Sequence, residues 1–114
     1  MTELFVWGCF AHAVADWFFQ NDWMAKNKTS LFHPAAWVHS AIHMVALSFV
    51  FPVMLAVPLG LLHALIDTRT PLQFWRKAFR QTTEGPAAIH VAFWQDQVAH
   101  AICIALAAAL AGAM

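Results

Sequence analysis

The sequence predicts an all-α integral membrane protein: a four-helix bundle with a short interfacial amphipathic helix between the third and fourth helices. Three observations predict it. Hydrophobic residues make up 61% of the 114 and charged residues 11%, against about a quarter charged in a soluble domain. Apolar runs alternate with polar segments punctuated by proline. Each apolar run also carries an ionisable pair spaced i,i+4: His12/Asp16, His39/His43, His63/Asp67 and Asp96/His100. That spacing stacks two side chains on one helical face. Ionisable groups inside a membrane are costly and usually functional.

The first span covers residues 4–20. Glu3 stands where a signal peptide wants a base, and His12 and Asp16 interrupt the apolar run, so a cleaved signal is not expected. A polar stretch, residues 21–30, holds Lys26 and Lys28. Pro34 opens the second span, residues 34–51, because proline suits the first helical position. Pro52 breaks the chain before a third span, residues 53–67, in which Pro58 predicts a kink. Residues 68–85 are polar and basic. Thr70 and Pro71 read as a helix start, and Leu72, Trp75 and Phe79 recur at helical spacing among Arg76, Lys77 and Arg80. This predicts a headgroup-level helix, with Arg76, Lys77 and Arg80 as a candidate surface for anionic lipid heads and simple interfacial anchoring as the plainer reading. Pro86 opens the last span, residues 87–112, and residues 1–114 form a single domain. Cys9 and Cys103 lie in apolar runs without a CxxC motif and read as small packing residues.

The second and third spans fall short of the ~20 residues that cross a hydrocarbon core. Joined into one helix they would run ~50 Å at 1.5 Å per residue, too long for simple spanning. A hairpin near Pro52 is preferred, giving four spans. All six basic residues (Lys26, Lys28, Arg69, Arg76, Lys77 and Arg80) then fall on one side. The positive-inside rule makes that side cytoplasmic and turns both termini to the periplasm. Formal net charge is zero, and no nucleic-acid partner is expected. Membrane lipid is the expected partner, with a homo-oligomer or a membrane complex as further possibilities.

With that topology, most of the paired residues fall in the inner half of the bundle. Asp96 and His100 fit worst, lying about one turn too deep at 5.4 Å per turn. Gly8, His12, Asp16 and Gln20 share one row, and Ala56, Gly60, His63 and Asp67 another. Small residues beside polar ones suit close helix contact in lipid. Asp16, Asp67 and Asp96 have no Lys or Arg within any span, so protons, histidinium, water or a bound cation must compensate them. Histidine with carboxylate is the ligand set of zinc, iron and manganese sites, zinc being favoured. The candidate ligands are His12, Asp16, His39, His43, His63, Asp67, Asp96 and His100. They exceed one zinc shell and suffice for two ions, or for one ion with outer partners and a catalytic base, Asp16 or Asp96. Interhelical hydrogen bonding is the plain alternative for one such pair; four pairs on four spans weigh toward a metal or proton site. His33 and His90 stand outside the set, Gln20 reads as packing or an outer partner, and Gln97, adjacent to Asp96, is expected to point elsewhere.

The string HAVADWFFQNDWMAKNK from His12 to Lys28 resembles the opening of small bacterial and phage membrane proteins of the domain of unknown function 3307 family. HSAIH from His39, LHALID from Leu62 and DQVAH from Asp96 match its later motifs in order. This implies a bacterial inner-membrane or phage setting and is silent on activity. More distantly, the His-rich multi-span pattern is similar to membrane-bound metal-dependent hydrolases of bacteria. By analogy, that implies metal-assisted hydrolysis within the bundle.

Three functions follow as expectations. The first is a metal-dependent hydrolase acting on a lipid or lipid-linked ester or phosphoester at the cytoplasmic leaflet. The second is a haem-binding or ion- or proton-conducting module. The third is a structural or phage-interaction subunit of a larger membrane complex, in which the polar rows only lock helices together.

Overall fold

Pro34 and Pro71 stand in the first turns of helices, where proline's fixed φ suits the start. The computed structural model describes residues 1–81 and 84–114. Among these, six helices and no strand occur: α1 (Thr2–Trp17), α2 (Asp22–Asn27), α3 (Pro34–Ser48), α4 (Val53–Asp67), α5 (Thr70–Ala78) and α6 (Ala88–Ala113). The protein is all-α, as its composition predicts. Thr82 and Thr83, in the polar basic segment, lie outside the described residues.

Four helices close a ring: α1 packs on α3, α3 on α4, α4 on α6 and α6 on α1. The hairpin expected at Pro52 is present. The Phe51 N–H donates to the Leu47 carbonyl at 2.8 Å, and Pro52 precedes the first turn of α4, which continues through Pro58. Two helices carry side-chain caps at their N-termini. Nδ1 of His33 accepts from the Ala35 N–H at 3.0 Å and caps α3. The short α2, unforeseen in the polar stretch, starts where the Asn21 side chain accepts from the Met24 N–H at 3.0 Å.

Missing side chains set the helix spacing. A Cβ on Gly60 would lie 2.2 Å from Met44 Cγ and 3.2 Å from the Ser40 carbonyl. Across the same contact, Ser40 Oγ donates to the Gly60 carbonyl at 2.7 Å. On the other side, a Cβ on Gly8 would lie 2.6 Å from Ile104 Cγ2. Gly60 therefore permits a close backbone approach to α3, and Gly8 leaves room for the Ile104 and Phe51 side chains. Gly60→Val is expected to lower stability by about 1–3 kcal/mol through overpacking. Gly112→Val, where the nearest atom is 3.9 Å away, should cost far less. Thermal unfolding in detergent of the two variants checks the difference.

The ring is divided along its length. At the hairpin end, Leu47, Phe51, Ala56, Leu59, Ile104, Ala107 and Ala108 form a buried apolar core, with Cys9 and Cys103 packed at its edge and unbridged. The opposite end carries the ionisable residues, with α2 and α5 beside them. By length and composition, α6 is the one helix among the described residues able to cross a membrane, at 26 residues. α4 and α5 would qualify only together, and they are bent by 62°. α1 has 16 residues and α3 and α4 have 15 each, short of the ~20 of an untilted span.

Candidate metal centre

The i,i+4 spacing puts each pair on the inner face of its helix, and the ring brings the four faces together. His12, Asp16, His39, His43, His63, Asp67 and His100 are all buried, and the Asp96 side chain is 25% exposed. The expected excess depth of Asp96 and His100 does not arise. The first turns of α6 lie beside α5, where Arg76 donates to Gln95 at 3.0 Å, so His100 arrives level with His63, their Nδ1 atoms 3.2 Å apart.

One ligand set converges best. Asp16 Oδ1 lies 2.9 Å from His43 Nε2, 3.2 Å from His39 Nε2 and 3.9 Å from His63 Nε2. His39 Nε2 and His63 Nε2 are themselves 2.9 Å apart. Four ligands at the ~2.0–2.1 Å of zinc–nitrogen and zinc–oxygen bonds stand ~3.3 Å apart in a tetrahedron. The observed edges bracket that value, and the four atoms can share one ion.

Proton placement points the same way. His39 Nε2 faces two carboxylates, Asp16 Oδ1 at 3.2 Å and Asp67 Oδ2 at 3.4 Å. His63 Nε2 faces Asp67 Oδ2 at 2.9 Å. Each nitrogen needs its proton to serve these oxygens, yet two N–H groups cannot meet at 2.9 Å. A cation held by both lone pairs removes that conflict. His63 Nδ1 can then donate to His100 Nδ1, and His100 Nε2 faces Asp67 Oδ1 at 3.4 Å and Asp96 Oδ2 at 3.6 Å. Such a histidine-to-carboxylate chain behind a ligand fixes its tautomer and orientation. Nδ1 of His39 and of His43 is buried without a partner, so this outer support is uneven.

The other candidates border this set. His12 Nε2 is 3.1 Å from Asp16 Oδ2 but out of hydrogen-bonding alignment, and its ring packs against those of His43, His63 and His100. Asp67, Asp96 and His100 make a further group of mutually close ligand atoms, as do His12, His63 and His100. The space left among His12, His43, His63 and His100 is about 10 Å³, one water or ion in size.

Three cations, Lys28, Arg69 and Arg76, reach the site from outside the spans, which the absence of bases within them did not foretell. Lys28 Nζ approaches Asp67 Oδ2 at 3.9 Å. Arg76 is buried and turned toward α6, whereas Lys77 and Arg80 are exposed. Gln97 turns back, its Nε2 3.4 Å from Asp96 Oδ2, instead of pointing elsewhere. His90 is exposed and stays apart, as expected. A cavity of about 370 Å³ leads from the polar end to Asp16, Asp67 and Asp96. At the far end, the core around Leu47, Leu59 and Ile104 closes the ring.

A family model described as protein of unknown function (DUF3307) matches residues 4–113. No curated protein and no solved structure matches the chain.

Proposed function

The chain belongs to the DUF3307 family, whose description names no activity, and from its own site we propose that it is an integral membrane metal-binding protein. We further propose that it hydrolyses a lipid or lipid-linked ester or phosphoester at the cytoplasmic leaflet. The observation that carries this is the convergence of Asp16 Oδ1 with Nε2 of His39, His43 and His63. A nitrogen-rich set of four at these spacings suits zinc, with iron or manganese as alternatives.

Membrane placement is supported by inverted polarity. The buried polar groups face the bundle interior, while Val6, Trp7 and Phe10 of α1, Val45 of α3, Met54 and Val57 of α4 and Ile102, Leu106 and Leu110 of α6 are exposed. Apolar surface this extensive marks contact with lipid or protein. The longest extent, 43 Å, exceeds a hydrocarbon core of about 30 Å. Short α1, α3 and α4 fit if the bilayer thins around them. Lys28, Arg69 and Arg76 line one cavity at one end, which the positive-inside rule turns to the cytoplasm, leaving both termini periplasmic.

A divalent ion here would act as a Lewis acid on a bound ester or phosphoester and make water a competent nucleophile near neutral pH. The chain's own groups divide the remaining work. Both oxygens of Asp16 are taken up by histidines, which suits a ligand. Asp96 faces the cavity and is the less engaged carboxylate, which suits the base. The closed apolar end favours a one-sided enzyme site over a conducting path, and the ion-sized gap between imidazoles favours a bare ion over haem.

Elemental analysis of detergent-purified protein tests the reading. A near-stoichiometric transition metal is expected, removed by chelator or by acid, since histidine and carboxylate bind metal only when deprotonated. Metal-free protein with an intact fold would sink it and leave interhelical locking as the role of the polar rows.

A further inference from the structure

The cavity beside the metal centre has a charge pattern that the metal ligands do not explain. Its inner wall carries Asp16, Asp67 and Asp96, and Lys28, Arg69 and Arg76 also line it. Three carboxylates against three bases leave it formally neutral. Adding one divalent ion leaves it positive, the complement of a phosphate group.

Two details make the bases a built feature. Arg76 is 8% exposed, yet among the described residues its guanidinium meets Gln95 and no carboxylate at ion-pair distance. A buried guanidinium has five N–H donors and is costly to leave without an anion. Arg69 takes a left-handed backbone, φ 68°, at the 62° bend between α4 and α5. A non-glycine residue there is strained, and such strain clusters at functional sites. In addition, Gln20 Oε1 lines the cavity, buried and without a partner. Rotated by 180°, its amide offers N–H donors instead. Trp17, Leu72, Ile89 and Phe93 supply apolar walls.

Resting on the metal-centre reading, we infer that this cavity binds the phosphate group of an amphiphile: Lys28, Arg69 and Arg76 hold the phosphate beside the metal, and the apolar wall takes the adjoining hydrocarbon. The substrate class narrows from esters in general to phosphate esters. Arg69 accepts its backbone strain because the bend carries its guanidinium to the phosphate.

The test uses the full chain, metal-loaded in neutral detergent, with metal content measured on every sample. The probes are inorganic phosphate and dioleoyl phosphatidate in phosphatidylcholine nanodiscs. Arg69→Gly relieves the left-handed strain, so its melting temperature should hold or rise while phosphate affinity falls about 10- to 100-fold, the loss of one charge-assisted hydrogen bond. Lys28→Ala should weaken binding likewise, and Lys26→Ala should not. Binding of phosphatidate alone assigns the phosphate to a lipid, and binding of inorganic phosphate as well assigns the anion site to phosphate in general. If metal-loaded protein binds neither probe, or binds both unchanged in Arg69→Gly and Lys28→Ala, the phosphate site is overturned and the metal centre stands. Protein that takes up no metal on loading yet binds phosphate through Arg69 overturns the metal centre and leaves the phosphate site.

Discussion

Replacing His63 with alanine should empty the metal centre. Its Nε2 lies 2.9 Å from both His39 Nε2 and Asp67 Oδ2, and its Nδ1 3.2 Å from His100 Nδ1. The ring also stacks on His43 with centroids 3.5 Å apart. Of the four ligands, His63 makes the shorter approach to Asp67, 2.9 Å against 3.4 Å for His39, and it also meets His100. Losing an outer partner of a metal ligand typically costs ~10–100-fold in affinity, so losing this ligand should cost more than ~100-fold. Metal content per chain, by elemental analysis after dialysis, should fall close to zero. The hole left by the imidazole adds its own loss, about 2–5 kcal/mol for a large-to-alanine change in a buried site. Comparing wild type and variant after chelation separates the two effects. With metal removed from both, the stability gap should narrow toward the cavity cost alone. A variant that keeps its metal and only melts earlier would show that the histidines are interhelical glue.

The second large effect separates the two aspartates that the sequence leaves equivalent. Asp96→Asn should keep the metal, because Asp96 is 3.6 Å from His100 and outside the best ligand set. As the base, it should contribute ~10²–10⁴-fold to the rate. Phosphate release from phosphatidate in mixed micelles is expected to drop by that factor with KM little changed, and the rise of kcat with pH should flatten. Asp16→Asn should instead lose metal, since Asp16 contacts His12, His39 and His43. If Asp96→Asn turns over like wild type, Asp96 is not the base. A metal-loaded wild type that releases no phosphate would remove the hydrolase reading and leave the metal site.

Much of the fold is legible because local chemistry writes it. Pro34 and Pro52 start helices where the sequence places them, and α5 forms where Leu72, Trp75 and Phe79 recur. Caps are harder to read. His33 resembles an interfacial loop residue until its ring is seen accepting from the Ala35 N–H, and α2 depends on an Asn21 cap in a stretch that reads as polar coil. The placement of Arg76 was equally hidden. Its neighbours Lys77 and Arg80 stay exposed, and only the bend at Arg69 and the contact with Gln95 turn Arg76 inward.

By itself, the sequence determined which residues would share a face. Helical spacing is a local property, so His12 with Asp16, His39 with His43, His63 with Asp67 and Asp96 with His100 are paired before any tertiary contact exists. It also determined that those faces must turn inward wherever the helices meet lipid, because buried polar groups need partners. Only the tertiary structure decided which atoms converge. Rotation and axial offset between helices come from packing: Gly60 against Met44 and Ser40, Gly8 against Ile104, and the early turns of α6 against α5. Those offsets bring His63 between His39 and His100 and separate Asp16, held among histidines, from Asp96 at the cavity. A one-turn slip of α6 would move Asp96 and His100 by about 5.4 Å, more than any of these contacts can span, and nothing local in the sequence sets that register.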